Sequence, residues 1–270
     1  MLLRAGEWLG ALAWALGVRR SVALDGLRRA FPALSDSERR RIGRASYLQL
    51  GRSLVEILLP PKGPELESAV GFEGWDVYEA ALAQGRGVVF AVAHFGNFEL
   101  IARAAVRRGM KLSIIVRALG DALGRRLVAS RLRSGVRHLP ERGATGAALA
   151  VLRRGEVLAI PVDQNMRPSR GIFVDFFGEK ACTTPAPAVF ALRCGAPILT
   201  AIPVRRPDGT HLVRMRGPFT TALAGHAAVE DLTRQLNRAL EDEVRAHPDH
   251  WFWVHRRWKT RPLEDEAGVD

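Results

Sequence analysis

Cysteine is scarce in this sequence. Two occur in 270 residues, Cys182 and Cys194, and neither lies in a CxxC pair or near a cluster of histidines. The sequence therefore predicts neither a disulfide framework nor a zinc site, and we expect no bound metal. Two buried or unreactive thiols in a reducing compartment are the simpler interpretation.

Long apolar runs are also missing. The longest uncharged stretch near the N-terminus is Trp8–Val18, whereas a membrane-spanning helix needs about 20 apolar residues. The charged residues that flank this stretch do not suit a signal peptide. We expect residues 1–20 to form a helix that lies in a membrane interface, with Trp8 and Trp14 at headgroup depth. A first helix that packs in the protein core is the alternative.

Acidic residues are outnumbered, since 28 Asp and Glu oppose 40 Lys and Arg and leave a net charge of +12. Such a surface attracts nucleic acid, an anionic membrane leaflet or an acidic partner protein. The stretch WFWVHRRWKTRP at residues 251–262 alternates tryptophan with cations. That pattern suits a membrane interface or a single-stranded nucleic acid groove, and it also allows packing against the sheet. Charge alone does not choose among these partners.

What the sequence does contain is an alternation of short apolar runs with helical stretches, at 47% hydrophobic content. Strands are predicted at 87–93, 111–117, 156–162, 171–177 and 197–204. Helices are predicted at 35–58, 97–109, 121–133, 145–154, 185–194 and 231–248, the first of them opened by a capping box of Ser35 and Glu38. This order indicates an α/β fold in a single domain, with a mostly parallel central sheet flanked by helices and a helical N-terminal cap.

The segment AVAHFGNFEL carries the chemistry. His94 directly follows the predicted strand at 87–93, and sites in open α/β sheets form at the carboxyl ends of strands. Asn97 is predicted to cap the next helix, which places Glu99 in its first turn. A carboxylate there can bind one ring NH of the histidine and leave the other nitrogen to accept a proton. No G-x-S-x-G motif or neighbouring cysteine supplies a nucleophile, so a substrate hydroxyl is expected to attack. A structural histidine held by a local carboxylate is the alternative.

Three segments extend this pattern: GRGVVFAVAHFGNFEL, the stretch from VDQNMRPSRG to LTAIPV, and HPDHWFWVHRRWKTRP. In order and spacing they resemble the lysophospholipid acyltransferase-like family, which includes the late acyltransferases of lipid A biosynthesis. The resemblance runs from about residue 20 to 263. It implies a glycerolipid acyltransferase-like fold, with an acyltransferase domain at 21–263 after the helix at 1–20 and a tail at 264–270.

The resemblance also implies an activity and its residues. A fatty acyl chain would pass from an acyl-carrier-protein thioester to a hydroxyl of a lipid A precursor, without an acyl-enzyme and with no cofactor beyond the thioester co-substrate. His94 would be the general base and Glu99 its orienting carboxylate. Four residues would bind substrate: Asn97, Arg117, Arg131 and Asp163.

The partners implied are an acyl carrier protein, a membrane lipid acceptor and an anionic membrane surface, with no nucleic acid. The family's N-terminal anchor is longer than the one here, so we expect a peripheral or shallowly anchored protein on the cytoplasmic face of the inner membrane. Other acceptors stay open: a lysophospholipid, an amino-acid lipid or another glycolipid. So do a thioesterase or lipase that uses water, and a basic nucleic-acid-binding protein.

Overall fold

A computed structural model describes residues 2–116, 132–140 and 143–262. The helices are α1 (Leu2–Ala15), α2 (Arg20–Ala30), α3 (Asp36–Leu58), α4 (Pro64–Ala69), α5 (Trp75–Leu82), α6 (Phe98–Arg107), α7 (Ala144–Arg153), α8 (Ala186–Cys194) and α9 (Gly225–Ala246). The strands are β1 (Val70–Glu73), β2 (Val88–Val92), β3 (Leu112–Val116), β4 (Arg137–Pro140), β5 (Val157–Pro161), β6 (Ile172–Phe176), β7 (Glu179–Thr183), β8 (Ile198–Arg205) and β9 (His211–Phe219).

The chain forms two compact units. The first unit comprises Met1–Val55, Val162–Pro185 and Leu223–Asp270, and the second comprises Glu56–Pro161 and Ala186–Ala222. The domain boundaries predicted at residues 20 and 263 stay predictions.

A seven-stranded sheet forms the centre of the second unit, in the order β1-β9-β8-β2-β5-β3-β4. Every neighbouring pair is parallel except β8 and β9, which are antiparallel. Helices α4 to α8 belong to the same unit and pack on this sheet. The α/β class with a mostly parallel central sheet, flanking helices and a helical N-terminal region is therefore confirmed.

The apolar composition of the two inner strands β2 and β5 explains their burial. β2 reads VVFAV and β5 reads VLAIP, and the first four residues of each are buried. A strand covered on both faces needs a continuous apolar run, because both sets of alternating side chains leave water. Burial of each Val, Leu or Phe side chain contributes about 1.5–3 kcal/mol, so these two strands anchor the unit.

Some predicted elements have different roles in the structure. The strand predicted at 171–177 is β6, which pairs antiparallel with β7 as a separate two-stranded ribbon in the first unit. β1, β4, β7 and β9 were not predicted from the sequence. The helix predicted at 121–133 falls on residues outside those described, apart from its last two.

In the first unit, α1 packs along α3. An ideal Cβ on Gly6 would lie 2.5 Å from the carbonyl oxygen of Gly51, and one on Gly10 would come closer still to the carbonyl oxygen of Tyr47. Trp14 continues this row, with its ring edge-on to Tyr47 at 5.2 Å between centroids. Only residues without side chains allow two helix backbones to approach this closely, so the glycines explain the packing. The Trp14 ring is half-buried against α3, and its position at headgroup depth stays a prediction.

The opposite face of α1 is uncovered. Trp8 is 77% exposed, Leu9 and Leu12 are exposed beside it, and Leu16 is exposed just after the helix ends. α1 thus has one face packed and one face apolar and exposed, and its location in a membrane interface stays a prediction. Within the described residues, no helix has the length and apolar content that crossing a membrane requires.

The C-terminal tryptophans lie in the core of the first unit. Trp251, Trp253 and Trp258 are all buried, and Trp251 contacts Trp253 edge-on at 4.6 Å between centroids. Arg257 is buried with them and donates to the carbonyl of Cys182. Because the rings are buried, they form neither an open groove nor a membrane interface. Packed aromatic side chains of this size contribute strongly to the stability of the unit.

The capping box that opens α3 is confirmed, since Ser35 N donates to Glu38 at 2.7 Å and Glu38 N donates to Ser35 Oγ at 3.3 Å.

Candidate active site

His94 lies in the loop that follows β2, at the carboxyl end of an inner strand of the sheet. Its imidazole is half-buried and meets the ring of Phe98 edge-on, with 5.0 Å between centroids. Partial exposure at a strand end suits a base that must reach a substrate while its orientation stays fixed. The predicted position of His94 relative to the sheet is confirmed.

Asn97 and Glu99 form the start of α6. The side-chain oxygen of Asn97 accepts from the backbone NH of Leu100 at 3.1 Å, which confirms the predicted helix cap. Glu99 lies in the first turn and is 4% exposed. The positive end of the helix dipole favours a carboxylate at this position. His94, Asn97 and Glu99 are thus brought together on one short loop and helix start.

Gly96 presses this loop against β8. Its φ is +50°, in the left-handed region, and an ideal Cβ would lie 2.5 Å from the carbonyl oxygen of Pro203. A side chain here would force the loop away from the strand. Gly96 therefore allows the loop that carries His94 to lie directly against β8.

A buried ion-pair cluster next to the loop is the part of the site that sequence reasoning missed. Both carboxylate oxygens of Glu56 accept from Arg205, each at 2.6 Å, and His211 Nε2 lies 3.4 Å from the same carboxylate. The side-chain nitrogen of Asn97 donates to Glu56 at 2.6 Å. The signal available was one acidic residue within the apolar run SLVEILL.

The pKa of Glu56 reflects these contacts. Burial raises this pKa, but the hydrogen bonds and charges of Arg205 and His211 outweigh burial and lower it to about 2. The carboxylate is therefore ionised across the physiological range, and it accepts from every one of these partners.

Arg103 is a second buried charge that was not singled out. It follows Glu99 by four residues on α6, and this spacing places both side chains on one face of the helix. Burial, and then the charge of Arg133, lowers the pKa of Arg103. A buried carboxylate and a buried cation therefore share one face of α6.

The other predicted substrate-binding residues belong to the first unit or lie outside the described residues. Asp163 belongs to the first unit, is buried, and accepts from Trp251 Nε1 at 3.1 Å. Arg117 and Arg131 lie outside the described residues. The substrate-binding roles of Asn97, Asp163 and these two arginines stay predictions. In the part of the chain that the structure describes, no group of three or more His, Cys, Asp or Glu side chains is arranged to hold a metal ion.

The chain is similar to a known protein family and to several characterised enzymes along most of its length. A family model described as bacterial lipid A biosynthesis acyltransferase matches residues 1–260. The chain is 28% identical to a lipid A biosynthesis lauroyltransferase of Escherichia coli strain K12, over 97% of this chain and 86% of the relative. It is similarly 28% identical to a lipid A biosynthesis palmitoleoyltransferase of the same strain, with the same coverage. A phosphatidylinositol mannoside acyltransferase of Mycobacterium tuberculosis is 28% identical over 72% of this chain and 61% of that protein.

Proposed function

This chain belongs to the bacterial lipid A biosynthesis acyltransferase family, and we propose that it transfers a fatty acyl chain from an acyl-carrier-protein thioester to a hydroxyl of a lipid A precursor. The protein is an O-acyltransferase. The observation that carries the proposal is the placement of His94 at the carboxyl end of β2, with buried Glu99 in the first turn of the next helix.

The proposed chemistry is direct transfer. His94 takes the proton of the acceptor hydroxyl while its oxygen attacks the thioester carbonyl, and Glu99 bonds the other ring NH to fix the tautomer. The new C–O bond forms, the C–S bond breaks, and the imidazolium returns the proton to the departing thiolate. The oxyanion formed on the way needs hydrogen-bond donors, which arginine side chains or backbone NH groups can supply.

The acceptor is proposed to be recognised through its phosphates. Lipid A precursors are anionic, and the planar guanidinium of arginine suits phosphate oxygens. Arg117 and Arg131 are the proposed binding residues, with Asp163 as a further contact to the substrate. No cofactor takes part in this scheme.

The function is tested by product formation. Purified protein is given an acyl-carrier-protein thioester, with and without a lipid A precursor, and the lipid fraction is analysed by mass spectrometry. We expect the acceptor to gain the mass of one acyl chain. Free fatty acid in both samples, with the acceptor unchanged, would contradict the proposal and indicate hydrolysis.

A second acceptor class follows from one of the relatives. The name of the mycobacterial relative describes acyl transfer to a phosphatidylinositol mannoside, which is a different glycolipid. Acyl transfer to another membrane glycolipid is therefore the alternative function. A parallel sample with a mannosylated phosphoinositide separates the two, because the proposed enzyme acylates the lipid A precursor in preference.

We further propose that α1 attaches the protein peripherally to the cytoplasmic face of the inner membrane. Its exposed face carries Trp8, Leu9 and Leu12, while its packed face is held on α3 by glycine contacts. Arg40, Arg41 and Arg44 are exposed on the part of α3 that lies beside the C-terminal end of α1. An apolar face next to cations matches the acyl and headgroup layers of an anionic leaflet.

Loss of two leucines from α1 is expected to weaken vesicle binding about tenfold or more, since each buried leucine contributes roughly 1.5–3 kcal/mol when fully buried and less at an interface. The measurement is co-sedimentation of the Leu9→Ala/Leu12→Ala variant with anionic phospholipid vesicles. The matched control is Leu192→Ala/Leu223→Ala, because these leucines are 46% and 54% exposed against 51% and 55% for the α1 pair. An equal loss of binding in both variants would contradict attachment through α1.

A further inference from the structure

Glu56 is a carboxylate with 13% of its side chain exposed that the proposed mechanism does not use. Two of its partners, Arg205 and His211, face each other across the β8 and β9 pair. Its third partner, Asn97, belongs to the loop that carries His94. The cluster therefore connects a strand pair of the sheet to the candidate active site.

We propose that Glu56 is a positioning residue for acyl transfer, which acts through Asn97 to hold His94 and Glu99 in their reactive arrangement. The inference rests on the proposed function, because it concerns the geometry of the proposed base. In this role Asn97 holds the loop and does not itself need to touch the substrate.

The amide of Asn97 is occupied at both ends. Its nitrogen donates to Glu56 at 2.6 Å, and its oxygen accepts from Leu100 N at 3.1 Å. Asn97 is three residues after His94 and two before Glu99, so a displacement of its side chain moves both. A shift of about 1 Å in a catalytic group lowers the rate about 100-fold, which is why such a link matters more for turnover than for folding.

The Glu56 end of the Glu56–Asn97 hydrogen bond is held rigidly. Arg205 is 4% exposed at its side chain and binds both oxygens of Glu56, an arrangement that fixes the plane of the carboxylate. Arg205 ends β8 and His211 begins β9, so both lie on regular strands, which hold site geometry better than loops do. The contact of Gly96 with Pro203 fastens the same loop to the same strand.

The experiment separates the link from the helix cap. Asn97→Ser keeps an oxygen that can cap α6, since serine is a good capping residue, but it is too short to reach Glu56. Glu56→Ala removes the other end of the link, and Glu56→Gln keeps an oxygen that can accept from Asn97. Val157→Ala lowers stability at the buried start of β5, which pairs with the amino end of β2, without touching the loop.

We expect Asn97→Ser and Glu56→Ala each to lower kcat about 10- to 100-fold, with KM for the acceptor changed by less than about threefold. The double variant is expected to be no slower than the slower single variant, because both substitutions break one link. Glu56→Gln is expected to regain part of kcat, and Val157→Ala to keep wild-type kcat. Multiplying effects in the double variant, or equal losses in Val157→Ala, would overturn the inference.

A second readout is independent of activity. Amide hydrogen exchange at residues 94–99 is expected to accelerate in Asn97→Ser and to stay at the wild-type rate in Val157→Ala. If the wild-type protein acylates no acceptor, the proposed function fails, and exchange still decides on the link. Unchanged exchange in Asn97→Ser would overturn the link even in an active enzyme.

Discussion

Replacement of His94 by alanine is expected to lower kcat for acyl transfer by about 10²- to 10⁴-fold, the usual contribution of a general base. Without the imidazole, the acceptor hydroxyl must attack while it still carries its proton. His94 is half-buried in a loop and supports no strand pairing, so the fold is expected to survive the substitution. The measurement is initial-rate kinetics with an acyl-carrier-protein thioester, together with circular dichroism of the same sample.

His226→Ala is the matched control, because His226 is exposed in the first turn of α9. That variant is expected to keep wild-type turnover and wild-type structure. Near-wild-type turnover in His94→Ala would exclude the general-base assignment. A loss of turnover together with a loss of the folded spectrum would instead assign His94 a structural role.

Local patterns in the sequence predicted the parts of the site that lie close together along the chain. His94, Asn97 and Glu99 fall within six residues, so a strand end followed by a capped helix was enough to place all three. The Val-rich runs of β2 and β5 were equally readable, since strands buried on both faces carry continuous apolar sequence. These features need no knowledge of which distant segments meet.

The Glu56 cluster could not be found in this way. Arg205 and His211 are 149 and 155 residues from Glu56 along the chain, and each is an ordinary charged or polar residue in its own segment. The pairing of β8 with β9 is what brings Arg205 opposite His211. β9 itself was missed because its first residues break the apolar and polar alternation of a half-buried strand: polar His211 is buried, while apolar Leu212 is only partly buried. The burial of the C-terminal tryptophans was hard to predict for a related reason. A mixture of aromatic and basic residues fits a membrane interface, a nucleic acid groove and a protein core equally well, and the sequence does not show which rings face inward.

The second large effect that we expect is a loss of stability in acid, which arises from the same Glu56 cluster. The pKa of Glu56 is about 2 in the folded protein against an ordinary value of 4.5. Between these values the unfolded chain binds a proton that the folded protein does not, so the free energy of unfolding falls as pH falls. The contribution is fully present above pH 4.5 and is lost as pH approaches 2. At one pKa unit per roughly 1.4 kcal/mol, the loss amounts to about 3 kcal/mol.

Urea unfolding of the wild type and of Glu56→Gln across this pH range measures the effect. Well above pH 4.5 the wild type is expected to be the more stable protein, because the variant leaves Arg205 buried without a counter-charge. The difference is expected to shrink by about 3 kcal/mol as Glu56 becomes protonated. Glu156→Gln is the comparison, since Glu156 pairs with Arg137 and Arg154, whose side chains are about half exposed. Solvent screens such pairs, so the stability difference for Glu156→Gln is expected to change less with pH. A pH-independent difference between wild type and Glu56→Gln would mean that the carboxylate is not held ionised by Arg205, and the rigid anchor inferred for the His94 loop would fail with it.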